Sequence, residues 1–284
     1  PVMLDVSSLY TNIPLAQGID IFKAYLDNRV DQSMPTKFLI TLLILVLTCN
    51  VLTFNNQYFL QCIGTAMGTR VAPTFACLFM GCIEFLMLKA WKGVQPHFYK
   101  RFIDDIFMLW SGSEEELIAF LRHLNNFHPF LKFKASYNIS DKSVEFLDTV
   151  ISITNDGFIK TNLYVKPGKR CTYLLNSSCH PKHICENIPY SLALRLKRIC
   201  SEHIDFLKNL DILKNALLTR GYKCNYIMTS FDRVVNIDRT VALQKVEKKI
   251  INRCVLPLMF DPRLPNISNI LYRFWKVMTR NPIL

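Results

Sequence analysis

The sequence lacks the patterns that mark several common protein classes. Its ten cysteines include no Cys-x-x-Cys pair, so neither a zinc ribbon nor a disulfide framework is indicated, and we expect a reducing compartment, the cytosol or the nucleus. No internal repeat, low-complexity tract or signal peptide is visible. Half of the residues are hydrophobic, which excludes a disordered chain. Because the chain opens at Pro1 directly in a strand-like pattern, we expect it to be a fragment of a longer reading frame.

Long uncharged apolar runs are also missing. Residues 38–47 form a run of ten apolar or hydroxylated residues, which is too short to cross a bilayer. Residues 71–91 form a longer run, but Glu84 and Lys89 interrupt it. Both runs are typical of helices buried beneath a sheet, so we expect no membrane partner.

Acidic residues are fewer than basic residues, and the difference is concentrated in the last part of the chain. The chain has 34 Lys and Arg against 22 Asp and Glu, a net charge of +12. Residues 1–96 carry a net charge of +1 and residues 97–160 a net charge of −2, whereas residues 161–284 hold 21 basic and 8 acidic side chains, net +13. This concentration predicts a phosphate-rich partner for the last part of the chain. A purely structural domain would leave it unexplained.

The hydrophobic pattern predicts an α+β front half and a mostly helical, basic back half. We expect strands at residues 3–9, 98–103, 106–110, 131–137, 144–153 and 158–165, and a hairpin at residues 51–62 that turns at Asn55-Asn56. We expect helices after Pro14 and over residues 36–50, 73–91, 113–126, 181–186, 191–210, 212–220 and 239–254.

Paired carboxylates in apolar surroundings are the most informative feature. Asp104 and Asp105 stand between two apolar strands, where a bare Asp-Asp pair would otherwise be a solvated turn. Asp5 lies in a third apolar strand, and pairing of the strands would bring it beside Asp104. Carboxylates from neighbouring strands can hold two metal ions about 3.5–4 Å apart for in-line phosphoryl transfer. Mg²⁺ is the natural candidate because it binds carboxylates together with substrate phosphates.

Several segments resemble the reverse transcriptases, specifically those of Penelope-like retroelements. DVSSLYTNIP (5–14) resembles polymerase motif A, GTAMGTRVAPTFACLFMG (64–81) motif B, FIDD (102–105) the F/Y-x-D-D of motif C, and VEFLDTVI (144–151) the region of motif E. LNNFHPFLKF (124–133), LYVKPGKRCTYL (163–174) and SSCHPKHICENIPYS (177–191) are similar to the downstream region of that lineage. The resemblance covers essentially the whole chain and keeps the motif order.

The resemblance implies a right-hand polymerase palm, an antiparallel sheet with helices behind it, over residues 1–156. A basic thumb or helix-turn-helix module would follow over residues 157–230, with a helical C-terminal extension over 231–284. The implied activity is RNA-directed DNA synthesis for a retrotransposon, with two Mg²⁺ ions (or Mn²⁺), an RNA template, a DNA primer and deoxynucleoside triphosphates. Because the fingers segments that precede motif A are missing, the alternative is a catalytically inactive remnant that binds nucleic acid.

The resemblance also assigns residues to the active site. Asp5, Asp104 and Asp105 would be catalytic and bind the metal ions, together with the backbone carbonyl of Val6. The nucleotide-binding residues would be Tyr10, which would exclude a ribose 2′-hydroxyl, and Gly68, Arg70 and Pro73 of the motif B loop. Tyr10 is otherwise a core aromatic residue and Arg70 a surface residue. Many relatives have Ser at the position of Ala72, so one hydroxyl is absent here.

Further residues receive weaker assignments. The nucleic-acid-binding set would be Lys166, Lys169, Arg170, Lys182, Arg195, Lys197 and Arg198. Lys132 and Lys134 lie near the position where the resemblance would place the motif D lysine, which would protonate pyrophosphate. Their alternation with apolar residues favours lysines that face solvent from a strand. Asp148 would be structural, in the primer-grip hairpin. Cys179, His180, His183 and Cys185 could ligate zinc, although their spacing fits no standard finger.

Overall fold

A computed structural model of the protein describes residues 1–168, 172–245, 269 and 272–274. The chain forms two compact units, unit 1 from Pro1 to Ile159 and unit 2 from Lys160 to Leu284. Unit 1 carries 12 basic and 14 acidic side chains and unit 2 carries 22 and 8, so their net charges are −2 and +14. The basic surplus of the chain therefore belongs to unit 2.

Unit 1 is built on an antiparallel sheet. Its strands are β1 (Val2–Val6), β2 (Val51–Phe54), β3 (Gln57–Leu60), β4 (Phe98–Phe102), β5 (Asp105–Leu109), β6 (Phe133–Ser136), β7 (Ser143–Phe146) and β8 (Thr149–Ile153). Four of them form the main sheet in the order β4-β5-β1-β6. Burial alternates along the central strand β1, since Val2, Leu4 and Val6 are buried whereas Met3 and Asp5 are half-buried. One face of the sheet therefore covers the core and the other is free for chemistry.

Helices cover the core face of this sheet. They are α1 (Leu9–Asn12), α2 (Leu15–Asp27), α3 (Thr36–Thr48), α4 (Ala72–Ala90) and α5 (Glu114–Phe127). α4 supplies Phe75, Phe79, Met80 and Met87 to a core that it shares with β1 and β5. By length and apolar composition α4 could also cross a membrane, a test that the core helices of soluble proteins pass as well. The predicted α+β fold with helices behind an antiparallel sheet is confirmed.

Local signals set several elements as predicted. Ser113 caps α5, because its Oγ accepts a hydrogen bond from the Glu116 backbone N–H at 3.2 Å while the Glu116 carboxylate accepts one from the Ser113 N–H at 2.8 Å. Asn55 and Asn56 both have positive φ, 49° and 59°, as a tight two-residue hairpin turn requires. These residues fix the start of α5 and the register of the β2–β3 hairpin.

Two turns differ from the sequence prediction. The β4–β5 connection is Ile103-Asp104, and Asp105 is already the first residue of β5, opposite Phe102. Residues 143–153 are not one strand but the β7–β8 hairpin, which turns at Leu147 with φ 55°. Both turns place an apolar residue in the left-handed region, so the Gly or Asn that usually announces a tight turn is absent.

Unit 2 is mostly helical where it is described. β9 (Ile159–Leu163) runs across the unit boundary, and α6 (Lys182–Ile199), α7 (His203–Leu218), α8 (Cys224–Val235) and α9 (Arg239–Leu243) follow. α6, α7 and α8 pack around a core of Ala193, Leu196, Phe206, Leu210, Leu213, Leu217, Tyr222, Ile227, Phe231 and Val234.

The predicted helix boundaries in unit 2 need correction. α6 continues through Pro189, which the sequence pattern treated as part of a break, and the chain breaks at residues 200–202 rather than at residue 211. α8 was not predicted, because Ser, Thr and Asn interrupt its apolar positions. α9 covers the first five residues of the expected helix 239–254, whose remainder from residue 246 lies outside the described residues.

Candidate active site

The strand register places charged side chains together at one end of the main sheet. Asp5 of β1 lies opposite Asp105 of β5 on one side and opposite Lys134 of β6 on the other. Residues that face each other across antiparallel strands project from the same side of the sheet. Asp5, Asp105 and Lys134 therefore share a face, and it is not the core face, which Val6 and Leu4 cover.

Asp104 joins this group from the β4–β5 turn. The Val6 backbone N–H donates a hydrogen bond to the Asp104 carbonyl at 3.0 Å, which ties the turn to the end of β1. The structure thus brings Asp5, Asp104 and Asp105 to the same end of the sheet. The turn residue Ile103 has φ 57°, a conformation that β-branched residues rarely adopt.

Asp105 lies close enough to Asp104 and Asp5 for their negative charges to act on its carboxylate. The pKa of Asp105 is raised, first by burial and then by the negative charges of Asp104 and Asp5. Like charges held this close favour a cation between them. The donor set, carboxylate oxygens without sulfur or imidazole, suits a hard cation such as Mg²⁺. Among the described residues, no three or more His, Cys, Asp or Glu side chains are grouped so that they could hold a metal ion, and this includes Asp5, Asp104 and Asp105. At most two of these carboxylates would therefore bind one ion, and backbone, water and substrate would have to supply the other ligands.

Tyr10 lies next to these carboxylates, on the short helix α1. Its phenol is half-buried, and its pKa is raised by burial and then by the nearby charges of Cys77 and Asp104. The Tyr10 carbonyl also accepts a hydrogen bond from the Thr65 N–H at 2.7 Å, which fastens the loop before α4 to this segment. Tyr10 is therefore placed where it can line a site built around Asp104.

Gly64 was not singled out from the sequence, although it begins the glycine-containing loop. A Cβ on Gly64 would lie 2.5 Å from the Tyr10 carbonyl oxygen, and its φ is +71°. We expect Gly64→Ala to lower the free energy of unfolding by about 2 kcal/mol or more, because a backbone clash adds to left-handed strain. Urea unfolding measures this. Gly157→Ala, with φ +82° and no atom within 4 Å, is the control for strain alone. Equal losses in both variants would contradict the clash.

The other predicted nucleotide-binding residues lie on exposed surface. Gly68 has φ +100° and open space around it, so its backbone conformation, and not close packing, requires glycine. Arg70 is exposed in the same loop, and Pro73 is exposed in the first turn of α4. Their contacts with a nucleotide stay predictions.

A largely buried ion pair on the core side of the sheet holds the β4–β5 turn, and it was not predicted from the sequence. Arg101 Nε donates to Glu84 Oε2 at 2.8 Å, and the Arg101 and Glu84 side chains are only 12% and 11% exposed. Arg101 Nη1 also donates to the Ile103 carbonyl at 3.0 Å. The signal was present in the sequence, since Glu84 is the single acid in the mostly apolar helix α4.

Comparison with solved structures bears on the fold. Telomerase from Candida albicans, solved in complex with a fragment of telomeric RNA, superposes with a TM-score of 0.55 at 13% identity. The match covers 84% of this chain and 40% of the telomerase chain. The chain has a reverse-transcriptase-like polymerase fold. The chain spans about two fifths of the length of the Candida albicans telomerase chain, and the likeness concerns the fold alone.

Other comparisons are weaker or cover less of the chain. The Sicinivirus RNA-dependent RNA polymerase gives a TM-score of 0.48 at 13% identity, over 82% of this chain and 51% of the viral one. Apo telomerase from Candida tropicalis gives 0.48 at 12% identity, over 84% and 42%. No curated protein matches. Residues 172–232, which contain α6, α7 and most of α8, match the family described as the animal helix-turn-helix domain.

The basic residues predicted to bind a duplex fall into three groups. Lys166, Lys182 and Arg195 are exposed, and Lys182 pairs only at 3.5 Å with the exposed Glu186. Lys197 lies over the Phe206 ring at 4.7 Å, and Arg198 donates to the Ala242 carbonyl at 2.7 Å, so both also hold unit 2 together. Lys169 and Arg170 lie outside the described residues.

The remaining candidates lie at exposed or turn positions, or are not brought together. Lys132 and Lys134 are exposed, as their alternation predicted, and Lys132 Nζ donates to the Asn125 carbonyl at 2.8 Å. Asp148 lies in the β7–β8 turn. The predicted zinc cluster is divided between the exposed Cys179 and the buried Cys185 of α6, and the described residues contain no metal-binding group there.

Proposed function

We propose that this chain is the palm and thumb part of an RNA-directed DNA polymerase from a retrotransposon of the Penelope-like type. The observation that carries the proposal is the convergence of Asp5, Asp104 and Asp105 at one end of the main sheet. The order of the polymerase motifs along the sequence supports the finer assignment to reverse transcription. A polymerase-like fold, three carboxylates at one end of the main sheet and a basic second unit together support nucleotide transfer to a primer.

The residues of the site would act as a holder for two Mg²⁺ ions. When bound, the ions would favour the ionised primer 3′-hydroxyl and balance the charge of the departing pyrophosphate. Asp5 and Asp104 would provide the carboxylate oxygens, Asp105 would add negative charge from the start of β5, and Val6 would offer its backbone carbonyl. Tyr10, beside Asp104, would pack under the sugar and exclude a 2′-hydroxyl.

Unit 2 would bind the phosphates of the RNA–DNA duplex. Its net charge of +14 and its helix-turn-helix match support this role. Phosphate contacts are independent of sequence, and an RNA–DNA hybrid would be recognised by its shape and backbone. The exposed Lys166, Lys182 and Arg195 are the candidates within the described residues. Lys169 and Arg170, which lie outside them, stay candidates from the sequence alone.

Primer extension tests the proposal. A DNA primer annealed to an RNA template, with Mg²⁺ and deoxynucleotides, is expected to be extended, and chelation of the metal is expected to stop extension. Replacing deoxynucleotides by ribonucleotides is expected to slow extension strongly. If the chain binds the duplex but extends no primer on RNA or DNA, the catalytic proposal is wrong and the chain is an inactive, nucleic-acid-binding remnant of such an enzyme.

A further inference from the structure

We propose that Arg101, held by Glu84, is a positioning residue that fixes the turn from which Asp104 reaches the metal ions. The inference rests on the proposed function, because it takes Asp104 as a metal-binding carboxylate. It goes beyond that function by assigning a task to two residues behind the sheet that would touch neither metal nor substrate.

The guanidinium group of Arg101 connects three parts of unit 1. Nε donates to the Glu84 carboxylate at 2.8 Å, Nη2 donates to the Cys77 carbonyl at 3.3 Å, and Nη1 donates to the Ile103 carbonyl at 3.0 Å. The first two acceptors belong to α4, whose other side chains fill the core. The third is the residue directly before Asp104. The turn is thereby fastened to the most deeply buried helix of the unit.

The turn needs such a support because its own sequence disfavours it. Ile103 has φ 57°, and a non-glycine residue in a sparsely populated backbone region is strained and persists only where its surroundings impose it. The β2–β3 hairpin solves the same problem with Asn55-Asn56, which tolerate positive φ. In the β4–β5 turn the imposing contacts are the Arg101 bond to Ile103 and the Val6 bond to Asp104.

The chemistry of the Arg101–Glu84 pair also indicates that it orients the turn rather than stabilising the fold. Both Glu84 oxygens are occupied, one by Arg101 and the other by the Tyr99 hydroxyl at 2.9 Å. Burial and the Glu84 charge raise the pKa of Tyr99, so it stays a donor. A buried ion pair contributes little to stability compared with well-packed apolar residues. What an apolar replacement could not supply is a planar donor that binds Glu84 and the Ile103 carbonyl together.

The test uses the full chain and a substitution that keeps the charge. Arg101→Lys leaves a cation beside Glu84 but cannot keep all three hydrogen bonds. Lys100→Arg is the control, because it makes the opposite exchange at the exposed neighbouring residue of β4. Terbium(III), a hard oxygen-seeking cation with luminescence that a nearby tyrosine sensitises, reports on the carboxylate site without any catalysis.

We expect Arg101→Lys to weaken terbium binding about tenfold, the lower end of the effect of outer-shell substitutions on metal sites. In primer extension, kcat should fall by a similar factor while the KM for deoxynucleotide changes little, and Lys100→Arg should alter neither. Unchanged terbium affinity in Arg101→Lys would overturn the inference. If Arg101→Lys does not fold cooperatively, the nearly isosteric Glu84→Gln takes its place with the same expected result and the same overturning result.

The readouts separate the two proposals. If terbium binds the wild type, Asp104→Asn prevents it and Arg101→Lys weakens it, but no primer is extended, then the positioning role stands and the polymerase activity fails. If extension is normal in Arg101→Lys, the activity stands and the positioning role fails. A wild type that does not bind terbium at these carboxylates would overturn both.

Discussion

Asp104→Asn is expected to lower primer extension by at least about 10³-fold, because the loss of one metal-binding carboxylate removes roughly 4 kcal/mol of transition-state stabilisation. The amide matches the carboxylate in shape and lacks its charge. The hydrogen bond from the Val6 N–H goes to the Asp104 backbone carbonyl, so the turn should persist. Affinity for a primer–template duplex should stay within about twofold, since phosphate contacts carry nonspecific affinity and would come from unit 2.

The control is Asp156→Asn, which removes the same charge from an exposed turn of unit 1. It should keep both extension and duplex binding. Wild-type extension by Asp104→Asn would contradict the catalytic role of this carboxylate. Equal loss in both variants would point to net charge or stability, and a common loss of duplex binding would show that the two functions do not separate between the units.

Local chemistry explains which elements were predictable. Pro35 before α3, the Ser113–Glu116 capping box of α5 and the Asn55-Asn56 turn each act within a few residues. The turn and the helix starts near residues 36 and 113 were predicted, and the structure confirms them. The meeting of the β1 carboxylate with the Asp104-Asp105 pair was predictable as well, because these residues interrupt apolar strands, where a carboxylate costs free energy unless something offsets its charge. The register was not, since Asp5 lies opposite Asp105 and not beside Asp104 as expected.

Contacts between distant residues explain what was missed. Ile103 and Leu147 turn the chain in the left-handed region although neither favours it. At Ile103 the imposing bond comes from Arg101, two residues earlier, whose guanidinium group is held by the distant Glu84. The Arg101–Glu84 pair joins β4 to α4 across 17 positions of the sequence, so no periodicity reveals it. Likewise α6 continues through Pro189, which is buried in the folded chain.

Duplex binding is expected to show the second large effect, a steep dependence on salt. If the proposed thumb neutralises about six phosphates, the association constant should fall about 10³-fold between 50 and 200 mM salt. The double variant Lys166→Gln/Lys182→Gln should reduce the slope of log K against log salt by about 2, since each lost phosphate contact removes about 0.9. The weak exposed pair with Glu186 does not compete, because such pairs contribute little. Fluorescence anisotropy of a labelled RNA–DNA hybrid measures both slopes.

Lys37→Gln/Lys92→Gln is the matched control, because it removes two exposed charges from unit 1. If long-range attraction by net charge were the cause of binding, the two double variants would change the slope equally. If unit 2 binds phosphates directly, only Lys166→Gln/Lys182→Gln will reduce the slope. Weak salt dependence in the wild type would instead mean that the +14 charge of unit 2 serves solubility, and the nucleic-acid role would be wrong for both units. The slope therefore tests binding independently of catalysis.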